Sequence, residues 1–277
     1  MLPILYGLLA SASWGAADFI GGIATKRTAA YRVLFLAEGA GLVPFLALAL
    51  LTSEPIPSIT DLFLGALASL VGLAGLTILY RVLADGKMSI AAPVSALLAA
   101  LVPVIVGLLI LGIPSPTTIL GFGFAFGGVW LISQSDSTDW RFSMYDLRLP
   151  LFAGIFFGFY FVLLHEATRH SFYWVLVAAR LAGFIALGLY ALIIRKPAMP
   201  PRAVWAHSIV NGLIDIVGNA FFVLSAETGR MDVAAVLGAL YPASTVFLAW
   251  VILKEHITRV QAVGITLAFI AIVLFTI

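Results

Sequence analysis

The sequence predicts an all-α integral membrane protein: ten transmembrane helices arranged as two inverted five-helix repeats. Three observations carry that expectation. The 277 residues are 62% hydrophobic and only 10% charged, with a mean hydropathy of +1.13, whereas soluble domains carry about 25% charged residues. Apolar stretches of about 18 residues or more recur along the whole length, each long enough to cross a bilayer as a helix. The second half of the chain also repeats the pattern of the first at a nearly constant offset. Ten spans of about 20 residues take up about 200 residues, which leaves no room for a soluble domain.

The spans follow in order. Span 1 (2–25) runs up to Lys26-Arg27, and no basic region precedes it, so it reads as a retained helix and not a cleaved signal peptide. Span 2 (31–51) stops before Glu54-Pro55-Ile56-Pro57, and spans 3 (62–80) and 4 (89–112) carry the chain to Ile113-Pro114-Ser115-Pro116. Span 5 (115–133) closes the first repeat. Spans 6 (147–164) and 7 (172–194) lead to Pro197-Ala198-Met199-Pro200, and spans 8 (203–226), 9 (233–253) and 10 (257–277) complete the chain. Proline and glycine punctuate the gaps, as the strongest local breakers of regular structure.

Lys and Arg sort by side. Twelve fall at odd-to-even connections: Lys26, Arg27, Arg32, Arg81, Lys87, Arg141, Arg148, Arg195, Lys196, Arg202, Lys254 and Arg259. Two, Arg169 and Arg230, fall on the opposite side, and Arg180 lies inside span 7. Basic residues mark cytoplasmic loops, so both termini are expected outside the cytoplasm of a cell (plasma) membrane protein.

Several functions are excluded. The net charge of +2 is scattered and forms no basic face for nucleic acid. There is no cysteine, and His165, His170, His207 and His256 lie far apart, so no metal site or cofactor is expected. No G-x-S-x-G elbow or histidine cluster supports an enzyme.

The repeat is read residue by residue. Gly86-Lys87-Met88-Ser89-Ile90-Ala91-Ala92 aligns with Gly229-Arg230-Met231-Asp232-Val233-Ala234-Ala235 at an offset of 143, which also pairs Gly121 with Gly264 and Phe126 with Phe269. Span 2 matches span 7 at an offset of 142, pairing Tyr31, Val33, Leu34, Ala37 and Gly41 with Tyr173, Val175, Leu176, Ala179 and Gly183. Duplication divides the chain into 1–137 and 138–277. Five helices is an odd number, so the second unit is inverted, the arrangement of many secondary transporters with a site near the midplane.

These features, with Ser13-Trp14-Gly15-Ala16-Ala17-Asp18-Phe19 in span 1 and Lys254-Glu255-His256-Ile257-Thr258-Arg259-Val260-Gln261-Ala262-Val263-Gly264 before span 10, resemble the EamA family of the drug/metabolite transporter superfamily. The resemblance covers essentially the whole chain. It implies a secondary transporter that exports small polar metabolites, amino acids foremost, through a central cavity lined by spans 1, 3, 4, 6, 8 and 9. Exporters of organic cations or drug-like amines are the alternative within that class. A passive pore or a structural membrane subunit is the alternative outside it. The implied partners are a small-molecule substrate, the lipid bilayer and a coupling proton or ion, with the chain a monomer or weak homodimer.

Charged residues inside spans need a reason, since each costs about 2.5–3.5 kcal/mol at the bilayer centre. Four are present: Asp18, Glu38, Arg180 and Asp215. Asn211, Asp215 and Asn219 are spaced to share one helix face, and His207 extends the stripe. It serves either as a cavity wall or as a hydrogen-bonded seam between helices. Trp14 and Asp18 repeat the pattern in span 1, where packing and a rim role compete with the cavity. Tyr80, Tyr160 and Tyr241 offer rings and hydroxyls on cavity helices, and Ser95 and Ser244 add small polar groups. Pro93, Pro103, Gly238 and Pro242 mark bends suited to gates. Gly123 and Gly127, with Gly264 and Ala268, form small faces for scaffold or dimer packing. Glu38 and Arg180 occupy equivalent repeat positions about two turns from helix starts on opposite faces. Helix rise places them more than about 15 Å apart and unpaired.

Overall fold

The computed structural model describes residues 1–84, 88–134, 144–254 and 256–277. Among them the chain is helical and contains no strand. The first half comprises α1 (Leu2–Thr25), α2 (Ala30–Leu51), α3 (Ile59–Ala84), α4 (Met88–Ile110) and α5 (Pro116–Ile132). The second comprises α6 (Met144–Thr168), α7 (Tyr173–Ile193), α8 (Trp205–Thr228), α9 (Met231–Gly238), α10 (Tyr241–Leu248) and α11 (Arg259–Thr276). Eight segments are long and apolar enough to cross a membrane, and Val94–Ile110 and Pro116–Ile132 are shorter apolar helices. Gly86, Lys87, Arg141 and Glu255, and the side chains of Tyr80, Arg81 and Met88 to Pro93, lie outside the described residues.

Helix boundaries follow local chemistry. Pro116 opens α5, where the Ser115 hydroxyl accepts from the Thr118 amide at 3.2 Å. Thr258 and Gln261 form a capping box that opens α11. The start of α7 is capped from a distance. The Glu54 carboxylate, from the loop after α2, accepts the backbone amides of Phe172, Tyr173 and Trp174 at 2.7, 2.9 and 3.2 Å. A carboxylate suits this position because the first amides of a helix have no partner within it and carry partial positive charge.

One expected span differs. Residues 233–253 read as a single helix, but the chain breaks after Gly238 and restarts at Tyr241, with Pro242 in the first turn of α10. Glycine and proline within five residues account for the break. A π-helical stretch, Ala249–Leu253, then ends at Lys254 in a left-handed conformation. Packing differs on the two sides of the break: almost all of α9 is buried, whereas only Pro242 is buried in α10 and nothing in the π stretch.

The dominant contacts each join one half of the chain to the other: α1 with α8, α3 with α6, α5 with α11, α4 with α6, and α2 with α7. Along α1 and α8 the contacts run antiparallel. The Ser225 hydroxyl donates to the Pro3 carbonyl at 2.7 Å, and the Asn211 amide donates to the Ala17 carbonyl at 2.6 Å. The α2–α7 seam is also antiparallel, with Tyr31 edge-on to Tyr190 and Phe35 stacked on Phe184.

Small residues bring α5 and α11 together. A Cβ on Gly264 would lie 2.7 Å from the Ile132 nitrogen and 2.9 Å from the Gly128 carbonyl oxygen, both backbone atoms that cannot swing away. Gly127 meets Leu267, while Gly123 faces open space. Gly264→Ala should therefore cost about 1–3 kcal/mol through overpacking, seen as a lower melting temperature of the purified protein in detergent. Gly123→Ala should leave melting unchanged.

Candidate functional site

The interior polar groups converge where α1, α2, α6, α7 and α8 meet. Arg180, on α7, donates from Nη1 to Glu38 Oε2 on α2 at 3.1 Å and from Nη2 to Asp215 Oδ2 on α8. The Arg180 and Glu38 side chains are 8% and 11% exposed, whereas that of Asp215 is 33% exposed. Asn219, one turn along α8, donates from Nδ2 to Asp215 Oδ2 at 3.4 Å. Its carbonyl oxygen accepts from Trp14 Nε1 and from the Tyr160 hydroxyl, each at 3.0 Å. Because an indole nitrogen can only donate, this contact fixes which end of the Asn219 amide is the acceptor.

The pairing of Glu38 with Arg180 overturns the expectation that they stand apart. Tyr31 rests on Tyr190, and from that contact Glu38 lies seven residues along α2 and Arg180 ten along α7. The difference of three residues is about 4.5 Å of helix rise, which an arginine side chain spans. Gly183 makes room, since a Cβ there would lie 3.0 Å from the Glu38 carboxyl carbon, while Gly41 admits Ile216 of α8, which a Cβ would approach to 2.6 Å. Both residues belong to the site, and sequence reasoning left them out. Their signal was the matched charge at equivalent repeat positions.

Trp14 forms one wall. Its ring stacks on Phe161 at 5.4 Å and tilts against Phe222 at 5.8 Å. It also presses on Gly218 and Gly238, where an added Cβ would come within 2.6 and 2.8 Å of the indole. One turn beyond Trp14 on α1, Asp18 is exposed, makes no hydrogen bond among the described residues, and lies within electrostatic reach of Asp215. Gly22, another turn on, has open space around it. In the other direction the aromatic packing closes, with Phe222 and Leu164 fully buried.

The remaining expected residues divide. The α8 stripe splits by role: Asp215 and Asn219 join the network, whereas Asn211 is spent on the Ala17 carbonyl in the α1–α8 seam. The Ser95 hydroxyl is buried and donates to the Pro150 carbonyl at 3.2 Å, between α4 and α6. Ser244 packs against Gly15 of α1, and its neighbour Thr245 donates to the Gly15 carbonyl at 3.1 Å. Tyr241 is half-buried among the residues around Ile4 and Leu237. The side chain of Tyr80 lies outside the described residues. No group of three metal-ligating side chains occurs among those described.

Fold and site together define a multi-pass helical membrane protein with an ionic network in its interior. The chain belongs to the EamA-like transporter family, within the drug/metabolite transporter superfamily, for the family model matches residues 1–134 and 147–277. Membership makes it a membrane transporter of small molecules, in a family that is not enzymatic. An uncharacterized protein of Methanocaldococcus jannaschii is 24% identical over 131 residues, covering 47% of this chain and 94% of that protein. A solved crystal structure shares the fold, with a TM-score of 0.80 at 16% identity over 99% of this chain and 96% of that one.

The network carries a stability signature. Removing one partner of a buried ion pair costs about 3–5 kcal/mol. Arg180→Gln, which leaves two carboxylates without their cation, should lower the melting temperature most, and Glu38→Gln less. The double variant should be markedly more stable than the two losses combined, a coupling above about 0.5 kcal/mol in a double-mutant cycle. Strict additivity would show that the pair contributes nothing.

Proposed function

We propose that this protein is a ten-span secondary transporter that moves small polar metabolites carrying an amino group, amino acids foremost, by alternating access to the Asp215 site. The single observation behind the substrate class is the state of Asp215. It lies midway along a membrane helix, it is partly accessible, and its Oδ1 has no hydrogen-bond partner among the described residues. An ammonium group supplies both the charge and the donors that this oxygen lacks. Organic cations are the second reading, favoured by the Trp14 and Tyr160 rings, which reach the carboxylate through Asn219.

Several features support the architecture. Eight long segments and two shorter apolar helices sum to ten spans. The inter-half contacts come in exchange pairs under a shift of five spans: α1 with α8 answers α3 with α6, and α2 with α8 answers α3 with α7. Such exchange supports two like units, near 1–137 and 138–277, which five spans apiece would invert. The two stretches matched by the family model and the half-length archaeal relative point the same way. The tight packing of α9 against the loose packing of α10, with Asp18 exposed toward the end of α1, supports a conformation open toward the 26–29 connection.

The basic bias supports a plasma-membrane orientation with both termini outside, so the open side is the cytoplasmic one. That is where a solute destined for export would enter. A reporter enzyme that requires the cytoplasm, fused after residue 277, should be silent. Activity there would reverse the orientation.

Transport in proteoliposomes tests the site. Asp215→Asn keeps the shape and removes the charge, so flux of labelled amino acids should fall at least about tenfold, the worth of about 1.4 kcal/mol, while protein yield holds. If flux under a gradient stays normal, Asp215 has no part in the mechanism.

A further inference from the structure

We propose that Arg180 is the selectivity residue of this site: a resident cation, anchored by Glu38, that holds the place at Asp215 which the solute's positive group takes over. The inference rests on the reading that Asp215 contacts the solute, and it adds what decides the charge the solute must carry.

Three observations lead to it. First, Arg180 is the only buried Lys or Arg side chain among the described residues, and both of its terminal nitrogens are committed, one to each carboxylate. A solute carboxylate that reached the guanidinium would compete with both of them and add a negative charge beside two carboxylates. Second, the two bridges differ in access. Glu38 is sealed between α2 and α7 beside Gly183 and Ser69, whereas Asp215 is a third exposed. An incoming group meets the Asp215 bridge and cannot reach the Glu38 bridge. Third, the charge count is unbalanced. Glu38 from α2 and Asp215 from α8 share one guanidinium from α7, Asp18 from α1 lies within electrostatic reach of Asp215, and Tyr160 from α6 contributes only a hydroxyl that is turned to Asn219.

A positive group arriving at Asp215 therefore offsets that carboxylate, and in an amino acid the carboxylate end must point away from the set. Arg180 keeps Glu38 as its counter-ion throughout, so no charge is stranded when Asp215 changes partner. The resident cation also weakens binding, because every solute must displace it. Selectivity for one positive group and modest affinity for it have the same origin.

The test uses three probes of equal chain length: butylamine, butanol and butyrate, titrated calorimetrically into the purified full-length protein in detergent. Butylamine should bind the wild type, and butanol and butyrate should not. Because Arg180→Gln alone strips two carboxylates of their cation, the informative variant is E38Q/R180Q, which neutralises the anchored pair and leaves Asp215 unoccupied. It should bind butylamine about tenfold more tightly. Equal or weaker butylamine binding by the double variant would overturn the proposal. So would butyrate binding to the wild type that disappears in the double variant, or the absence of butylamine binding in both proteins. Asp215→Asn separates the two levels: loss of butylamine binding upholds the site, whereas full retention removes the reading on which the proposal rests.

Discussion

A buried guanidinium held between carboxylates from two other membrane helices is the constraint around which the rest of this protein is arranged. An isolated charge in a medium of low dielectric is so costly that it must be paired and hydrogen-bonded. Arg180 satisfies that demand with carboxylates from two different helices, Glu38 on α2 and Asp215 on α8. The pairing ties α7 to a helix from each half of the chain. It also explains a glycine nearby: Gly183 leaves volume that Glu38 occupies.

The second layer orders what the ionic pair leaves adjustable. Asn219 accepts from Trp14 and Tyr160 and donates to Asp215, so an indole, a phenol and a carboxylate on three helices are held by one amide. Trp14 in turn fills the space that Gly218 and Gly238 leave vacant. Gly238 stands where α9 gives way to α10, so the wall of the polar site and the break in the helix share one contact. A change in the α9–α10 angle is therefore felt at Trp14, and through Asn219 at Asp215. In hydrocarbon such inter-helical hydrogen bonds are individually modest, about 0.6 kcal/mol each, which suits the alternating access proposed above.

What the sequence disclosed, and what it withheld, follows from range. Periodicity and composition are local, so the membrane helices could be placed to within a few residues, and the break near Gly238 and Pro242 was marked by its own residues. The i, i+4 spacing of Asp215 and Asn219 likewise put both on one face before any neighbour was known. The pairing of Glu38 with Arg180 was misjudged because helix rise was counted from helix ends and side-chain reach was left out. Asn211 shared the spacing of the site but not its role, because only the position of Ala17 on another helix decides where its amide points. Ser95 and Ser244 show the same limit: each meets a neighbouring helix that spacing alone does not locate.

The Glu54 carboxylate, finally, has a mechanical meaning. It comes from the loop after α2 but completes the first turn of α7, and the Trp174 indole returns a hydrogen bond to the Glu54 carbonyl at 2.9 Å. Parting these two segments would strip three amides and an indole of their acceptors at once. In the alternating access proposed above, two bodies that rock against each other need a point that does not slide, and the role of this corner rests on that proposal. This corner is built as that fulcrum, and it sits at the end of the very helix that carries the buried guanidinium.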